Sequence, residues 1–270
     1  MATRSSAAGE QTLDKVTDHN QYHTEGLERN DLNDDPLNQF HAWFKHARSA
    51  GIKEPEAMTL ATVKLVPVEG DGKPSGTVVG VPSSRVVLLK ELDSRGFLFF
   101  TNYASRKSQE LSANPFASLT FYWEAIHRSV RVVGRAERLE PGQSDVYYAS
   151  RPRGSQLGAW ASPQSQPIAS RAELEDRVRD VEQEWEGKDV VQRPSHWGGW
   201  RIVPDEVEFW MGRESRLHDR FRSVVTRAFN VSEPWLIRLS VLAHRTSSYL
   251  HSYTRTGTDA ETWSVQRLGP

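Results

Sequence analysis

Residues 85–101 read RVVLLKELDSRGFLFFT, two short apolar runs on either side of DSRG. RVVLLK (85–90) and GFLFFT (96–101) do not alternate between apolar and polar residues, which is the pattern of strands covered on both faces. Asp93, Ser94 and Gly96 are residues that favour a tight turn. The stretch predicts a buried hairpin at the centre of a sheet. Outward from it, MTLATVKLV (58–66), TVVGV (77–81), FASLTFYW (116–123), HRSVRVVGRAERL (127–139) and WGGWRIVPDEVEFWMG (197–212) have strand character, with Gly, Pro, Asn and Asp between them. Short strands at this spacing predict a barrel. Two segments break the pattern. DDPLNQFHAWFKHARSAG predicts a helix opened by Asp35 and Pro36, with Leu37, Phe40, Phe44 and Ala47 on one face and Gly51 as its stop. Around 170–186, Ser170 and Glu173 form a capping box ahead of a stripe of Leu174, Val178, Val181 and Trp185. Residues 1–30 are polar and predict a flexible tail, with a single domain over 31–270, since neither a repeat nor a linker divides that range.

Bulk properties narrow the function classes. The 270 residues carry 34 Lys and Arg against 35 Asp and Glu, so no overall field selects nucleic acid or an anionic membrane, and any anion site must be local. The absence of cysteine removes disulfides, thiolate nucleophiles and cysteine-ligated metals, and fits a reducing, cytoplasmic setting. MATRSSAAGEQ has the Arg, Ser and Ala of a transit peptide, but Glu10 and Asp14 oppose that reading and a plain tail is expected.

Three basic clusters stand out. In NYASRKSQELSANP, Ser105 is the expected N-cap of a short helix whose first turn holds Arg106 and Lys107. Cations there oppose the helix dipole, and a bound phosphate would reverse the conflict; a solvated basic turn is the plain alternative. YYASRPRGSQLGAW gathers Tyr147, Arg151, Arg153 and Ser155 around a Pro-Gly turn, as a phosphate cradle or as an ordinary exposed loop. In SRLHDR, strand alternation would put Arg216, His218 and Arg220 on one face, a costly arrangement without an anion. No metal site is expected at His218, because the flanking cations repel a metal ion.

With these segments in place, the chain resembles the pyridoxamine 5'-phosphate oxidase family. The likeness runs through DPLNQFHAWF, PSSRVVLLK, GFLFFTNYASRKSQELSANPFASLTFYW, RSVRVVGRAERL, YYASRPRGSQLGAW, PQSQPI, WGGWRIVPDEVEFWMG, SRLHDRF and the terminal WSVQRLGP. SRPRGSQLGAW and RLHDR are its most specific parts. The resemblance implies a mainly β fold with helices, an FMN-binding split β-barrel, homodimeric with FMN at the subunit interface. It also implies oxidation of pyridoxamine or pyridoxine 5'-phosphate to pyridoxal 5'-phosphate by dioxygen, releasing hydrogen peroxide. FMN would be bound by Arg85, Val86, Val87, Leu88, Phe100, Thr101, Arg106, Lys107, Gln164, Ser165, Trp210 and Arg220. The substrate phosphate would be held by Lys90, Tyr147, Arg151 and Ser155, and Arg216 with His218 would lie over the pyridine ring as the catalytic pair.

The chain departs from the family at Ser129, where a flavin-contacting Gln is usual, and around His19, where a site-closing Arg is usual, although Tyr22 matches the neighbouring family Tyr. Residues 223–252 interrupt the resemblance. They are expected to be an insertion or a gene-model error, with RFR joining YTRTGTDAETWSVQRL as a hairpin. Two other functions share parts of the pattern. A split-barrel flavin or deazaflavin reductase would lack SRPRGSQ and RLHDR, and a non-catalytic flavin or pyridoxal phosphate binder would release no peroxide.

Overall fold

The computed structural model describes residues 21–70, 73–226 and 262–270. Nine strands form one antiparallel sheet: β1 (Ala57–Gly70), β2 (Lys73–Leu88), β3 (Glu91–Asp93), β4 (Gly96–Asn102), β5 (Phe116–Trp123), β6 (Arg128–Arg138), β7 (Trp197–Met211), β8 (Asp219–Thr226) and β9 (Thr262–Leu268). The order is β2-β1-β5-β6-β7-β4-β3, with β8 added to β7 and β9 to β8. The two ends of this order are consecutive in the chain. Leu89 N–H donates to Glu56 beside β1 and Lys90 N–H donates to Leu98 in β4, so a single peptide step joins the first strand to the last and closes the barrel.

The opening hairpin is therefore partly corrected. Its turn is where the sequence placed it: Asp93 pairs with Gly96, and the Asp93 carboxylate accepts from the N–H groups of Arg95 and Gly96. GFLFFT is buried as expected, but across the DSRG turn it meets only the three-residue β3, and its longer partner is β7. RVVL (85–88) instead completes β2 against β1, at the end of the sheet order, where one face of the strand packs inward and Val86 is 69% exposed.

The split in the barrel lies in β7. Its first half, Trp197–Ile202, pairs with β4, its second half, Glu206–Met211, pairs with β8, and β6 runs along the other side of both. Pro204, which has no N–H to offer a ladder, sits where one partner ends and the other begins. A register shift between Val133 and Gly134 marks the same level on β6. A Cβ on Gly134 would meet the Val203 carbonyl at 2.1 Å, so only glycine allows the two backbones to approach this closely.

Among the described residues five helices flank the sheet: α1 (Pro36–Ser49), α2 (Arg106–Ala113), α3 (Pro141–Ser150), α4 (Arg153–Ala161) and α5 (Arg171–Glu184). α1 starts as expected, with Asp35 accepting from Leu37 N–H and Pro36 in its first turn. It buries Phe40 against Phe97 and Phe121, and Trp43 against Phe209, which anchors it over the barrel mouth. α5 is capped by Ser170, which accepts from Glu173 N–H, while the Glu173 carboxylate accepts from Ala169 N–H. Of its expected stripe only Trp185, just past its end, is buried. Among the described residues no helix is long and apolar enough to cross a membrane.

Candidate active site

The first basic cluster is assembled from three elements. Arg85 reaches in from β2, Thr101 from β4, and Arg106 and Lys107 from the first turn of α2. Lys107 Nζ donates to Gln164 Oε1 at 2.7 Å and to Thr101 Oγ1 at 3.0 Å, and Thr101 Oγ1 donates to Gln164 at 2.7 Å. Burial, reinforced by the nearby Arg85 charge, pushes the Lys107 ammonium down to about 8. Ser105 precedes α2 as expected but does not cap it. Its hydroxyl accepts from Lys107 instead, which leaves the helix N-terminus without a side-chain cap. Arg85 and Arg106 converge on Glu110, at 3.1 and 2.8 Å.

The second cluster adjoins the first. The expected Pro-Gly turn is instead a break between α3 and α4 at Arg151 and Pro152, where proline ends one helix and opens the next. Tyr147 on α3 stacks on Phe100 at 3.9 Å, and Phe100 stacks in turn on Trp197 at 5.5 Å. The Arg151 guanidinium lies over Trp197 at 4.7 Å, and its Nη1 is buried without a hydrogen-bond partner. Burial raises the Tyr147 phenol, so it stays protonated and able to donate. A cavity of about 210 Å³ is lined here by Asn102, Arg151, Ser155, Ser162, Gln164 and Trp197. Gln164 thus belongs to both clusters. Phe100 takes part through this aromatic stack, on the strand face opposite Thr101.

The third cluster stands apart. Its expected strand alternation fails, because Glu214–Arg216 is a short helical turn with Ser215 and Arg216 at φ values of 54° and 63°. His218 follows in the loop, its ring 4.8 Å from Trp210 and 5.6 Å from Tyr22. Arg213 N–H donates to His218 Nδ1 at 3.1 Å, which leaves the proton of the neutral ring on Nε2. Burial and then the Arg216 charge depress the His218 pKa, against a smaller opposing effect of Asp219, so the neutral form prevails at neutral pH. Arg220 is clamped by Glu208 through contacts of 3.1–3.3 Å. Ser129 faces Trp210 across the β6–β7 ladder, and His19 lies outside the described residues.

Residues 21–28 are not the free tail that the sequence predicted. Leu27 is 3% exposed, its N–H donates to Asp219, Thr24 donates to the Gly212 carbonyl, and Gln21 accepts from Ser215 N–H. The segment is laced onto the loop that carries Arg216 and His218.

Among the described residues, His218 meets Arg213, Trp210 and Tyr22, none of which belongs to the other two clusters. Trp197 and Trp210 lie toward opposite ends of β7, thirteen residues apart in one strand, which at about 3.3 Å per residue is roughly 40 Å measured along the strand. Lys90, Val86 and Ser165 are exposed, and Val87 and Leu88 half-buried, on or beside the outer strand or loop. Sequence reasoning passed over Glu110, Thr62, Glu208 and Trp197. Only Glu110 carried a signal, its i,i+4 spacing from Arg106.

Comparison with known proteins gives this geometry a family. Residues 44–185 match the family described as pyridoxamine 5'-phosphate oxidase, and residues 197–240 match the pyridoxine 5'-phosphate oxidase C-terminal dimerisation region. The second match runs into the segment expected to be foreign, and β8 already claims residues 223–226, which pair with β9. The rest of the proposed hairpin turn, 253–261, lies outside the described residues. The pyridoxine/pyridoxamine 5'-phosphate oxidase of Salinibacter ruber is 49% identical over 211 residues, 78% of this chain and 92% of that protein. The protein of the same name from Paraburkholderia phytofirmans is 48% identical over 81% of this chain and 95% of its own length. Among solved structures, PhzG of Burkholderia lata, in complex with tetrahydrophenazine-1-carboxylic acid, superposes with a TM-score of 0.67 at 25% identity, covering 91% of this chain and 98% of that one. A pyridoxamine 5'-phosphate oxidase-related protein of Nostoc punctiforme shares the fold, with a TM-score of 0.56 at 13% identity over 88% of this chain and all of that one. With a family match over half its length and near-half identity to curated members across three quarters of it, the chain belongs to the pyridoxamine 5'-phosphate oxidase family.

Proposed function

We propose that this chain oxidises pyridoxamine and pyridoxine 5'-phosphate to pyridoxal 5'-phosphate, using FMN and dioxygen and releasing hydrogen peroxide, in a homodimer whose sites are shared between copies. The observation that carries this reading is the pair of anion sites joined through Gln164: Arg85, Arg106 and Lys107 on one side, Tyr147, Arg151 and Ser155 on the other. A reaction between two phosphorylated molecules requires two such places side by side. The donors fit the groups. Arg151 Nη1 is buried and unpartnered, Arg85 and Arg106 share a single carboxylate, and Lys107 has the neutral partners Gln164, Thr101 and Ser105, so a phosphate in each place would satisfy charges and N–H groups that otherwise carry a desolvation cost.

In this reading Arg85, Arg106, Lys107, Thr101 and Gln164 hold the FMN phosphate end, with Val86, Val87, Leu88, Phe100 and Ser165 bordering the flavin. Trp210 and Arg220 complete the flavin site from the second copy, because β7 separates them too far from the cradle of their own chain. Bound FMN supplies a two-electron acceptor that dioxygen regenerates. Arg151, Tyr147, Ser155 and Lys90 anchor the substrate phosphate, far from the carbon that reacts, and this remote binding energy fixes the orientation of the ring. His218 presents an Nε2–H donor toward the pyridine, and Arg216 places a permanent cation beside it to stabilise negative charge. The phosphorylated amine substrate also consumes water and releases ammonia.

The visible spectrum of the purified protein tests this. The expected result is a yellow flavin band that bleaches on anaerobic addition of pyridoxine 5'-phosphate and returns with air, together with peroxide. A protein that takes up no FMN, or whose flavin is untouched by either phosphate ester, would overturn the reading. Bleaching by a reduced nicotinamide alone would point to a reductase.

A further inference from the structure

We propose that Glu110 is a positioning residue that presets the phosphate cradle, holding the guanidinium groups of Arg85 and Arg106 on one point before any ligand arrives; this rests on the FMN-phosphate reading above. Glu110 is 4% exposed and projects from the second turn of α2 into the space between that helix and β1–β2. Its Oε1 accepts from Arg106 Nε at 2.8 Å. Its Oε2 accepts from Arg85 Nη2 at 3.1 Å and from Thr62 Oγ1 at 2.5 Å, and Thr62 Oγ1 itself accepts from Arg85 Nη1 at 2.5 Å. Arg85 Nη2 also donates to Ser83 Oγ at 2.7 Å. Two cations from elements far apart in sequence are thus fixed by one buried carboxylate and one buried hydroxyl.

A carboxylate in an anion site is a paradox on charge alone, because it repels the ligand. Two features resolve it. Each guanidinium has five N–H donors; Glu110 takes only the Nε–H of Arg106, whose Nη groups stay available to phosphate oxygens, while the Nη groups of Arg85 are taken by Glu110, Thr62, Ser83 and the Leu60 carbonyl and its Nε–H remains. With Arg85, Arg106 and Lys107 against Glu110, the cradle carries a net charge of about +2, the complement of a phosphate monoester dianion. Without Glu110, long arginine side chains would have to be ordered on binding, at an entropic cost that preorganisation removes.

The two views predict opposite signs for Glu110→Gln. The amide keeps one acceptor but turns the other oxygen into a donor facing an arginine or Thr62, while the site gains a positive charge. Positioning predicts FMN affinity weakened by roughly tenfold or more, with riboflavin, which lacks the phosphate, nearly unchanged. Repulsion predicts tighter FMN. Titration of FMN and of riboflavin into flavin-stripped full-length protein, wild type and variant, reads both. FMN bound as tightly or more tightly by the variant overturns the proposal, and so does an equal loss for both flavins, which marks a general structural role. Thr62→Val decides the matter if Glu110→Gln does not fold. It keeps the carboxylate and nearly the same shape, and an unchanged FMN-to-riboflavin ratio would again count against positioning. A wild-type protein that does not distinguish FMN from riboflavin would instead sink the phosphate assignment itself.

Discussion

Substituting His218 by alanine is expected to reduce turnover by about two orders of magnitude or more, with flavin still bound. The size follows from losing a positioned hydrogen-bond donor or proton-transfer group next to the reacting ring. The ring is held by Trp210, Tyr22 and the Arg213 N–H, so its Nε2 orientation is fixed before substrate enters. Arg216→Ala should also lower turnover, whereas Arg151→Ala, at the remote phosphate, should act mainly on KM. The pH profile carries the same assignment. Because burial and the Arg216 charge depress the His218 pKa, the neutral ring persists below the ordinary histidine range, and activity on the acid side should hold to a lower pH than a free imidazole would allow. Protonation at Nδ1 would abolish the bond from Arg213 N–H. Steady-state kinetics on flavin-loaded variants would read these effects; wild-type turnover in both ring-side variants removes their catalytic role.

Arg106→Ala and Lys107→Ala should each weaken FMN binding by roughly 10- to 100-fold, the range for a charge-assisted hydrogen bond to phosphate. Lys107 adds a pH signature. With the ligand-free ammonium at about 8, the protein increasingly lacks that proton above this pH, while a phosphate dianion favours the charged form. Binding there is coupled to proton uptake, so wild-type affinity should decline as pH rises past about 8, and the Lys107→Ala variant should lose that part of the slope. Fluorescence titration of FMN across pH would measure it, and parallel curves for the two proteins would exclude Lys107 from the phosphate site.

Much of this was legible in the sequence because it depended on local rules. Asp35 with Pro36, Ser170 with Glu173, and the DSRG turn are choices made by neighbours within four residues, and each lies where the pattern put it. The anion site proposed at the start of α2 also rests on a local reading, of cations placed against a helix dipole. Non-local choices were not legible. The four central residues of RVVLLK are all apolar, and nothing in them says that the strand pairs with β1, at the far end of the sheet order, and not with its neighbour GFLFFT. Arg216 and His218 looked strand-like until two successive residues took positive φ, which no side chain there announces. Glu110 and Thr62 are 48 residues apart, and their bond exists only because α2 lies over β1. The docking of residues 21–28 was hidden by their polarity, since it relies on backbone bonds to a distant loop and on one buried leucine.

The length of β7 has a genetic consequence. In the proposed dimer, the phosphate-binding groups of one chain lie by one end of β7 and its ring-binding groups by the other, so a working site draws one end from each copy. Two inactive alleles, one altered at Arg151 and the other at His218, then need not be inactive together. Random assortment makes roughly half of the dimers mixed. In each mixed dimer both lesions fall in the same site, and the other site is assembled wholly from intact residues. Such a pair of alleles would complement each other in one cell, whereas two alleles altered at the same end of β7 would not.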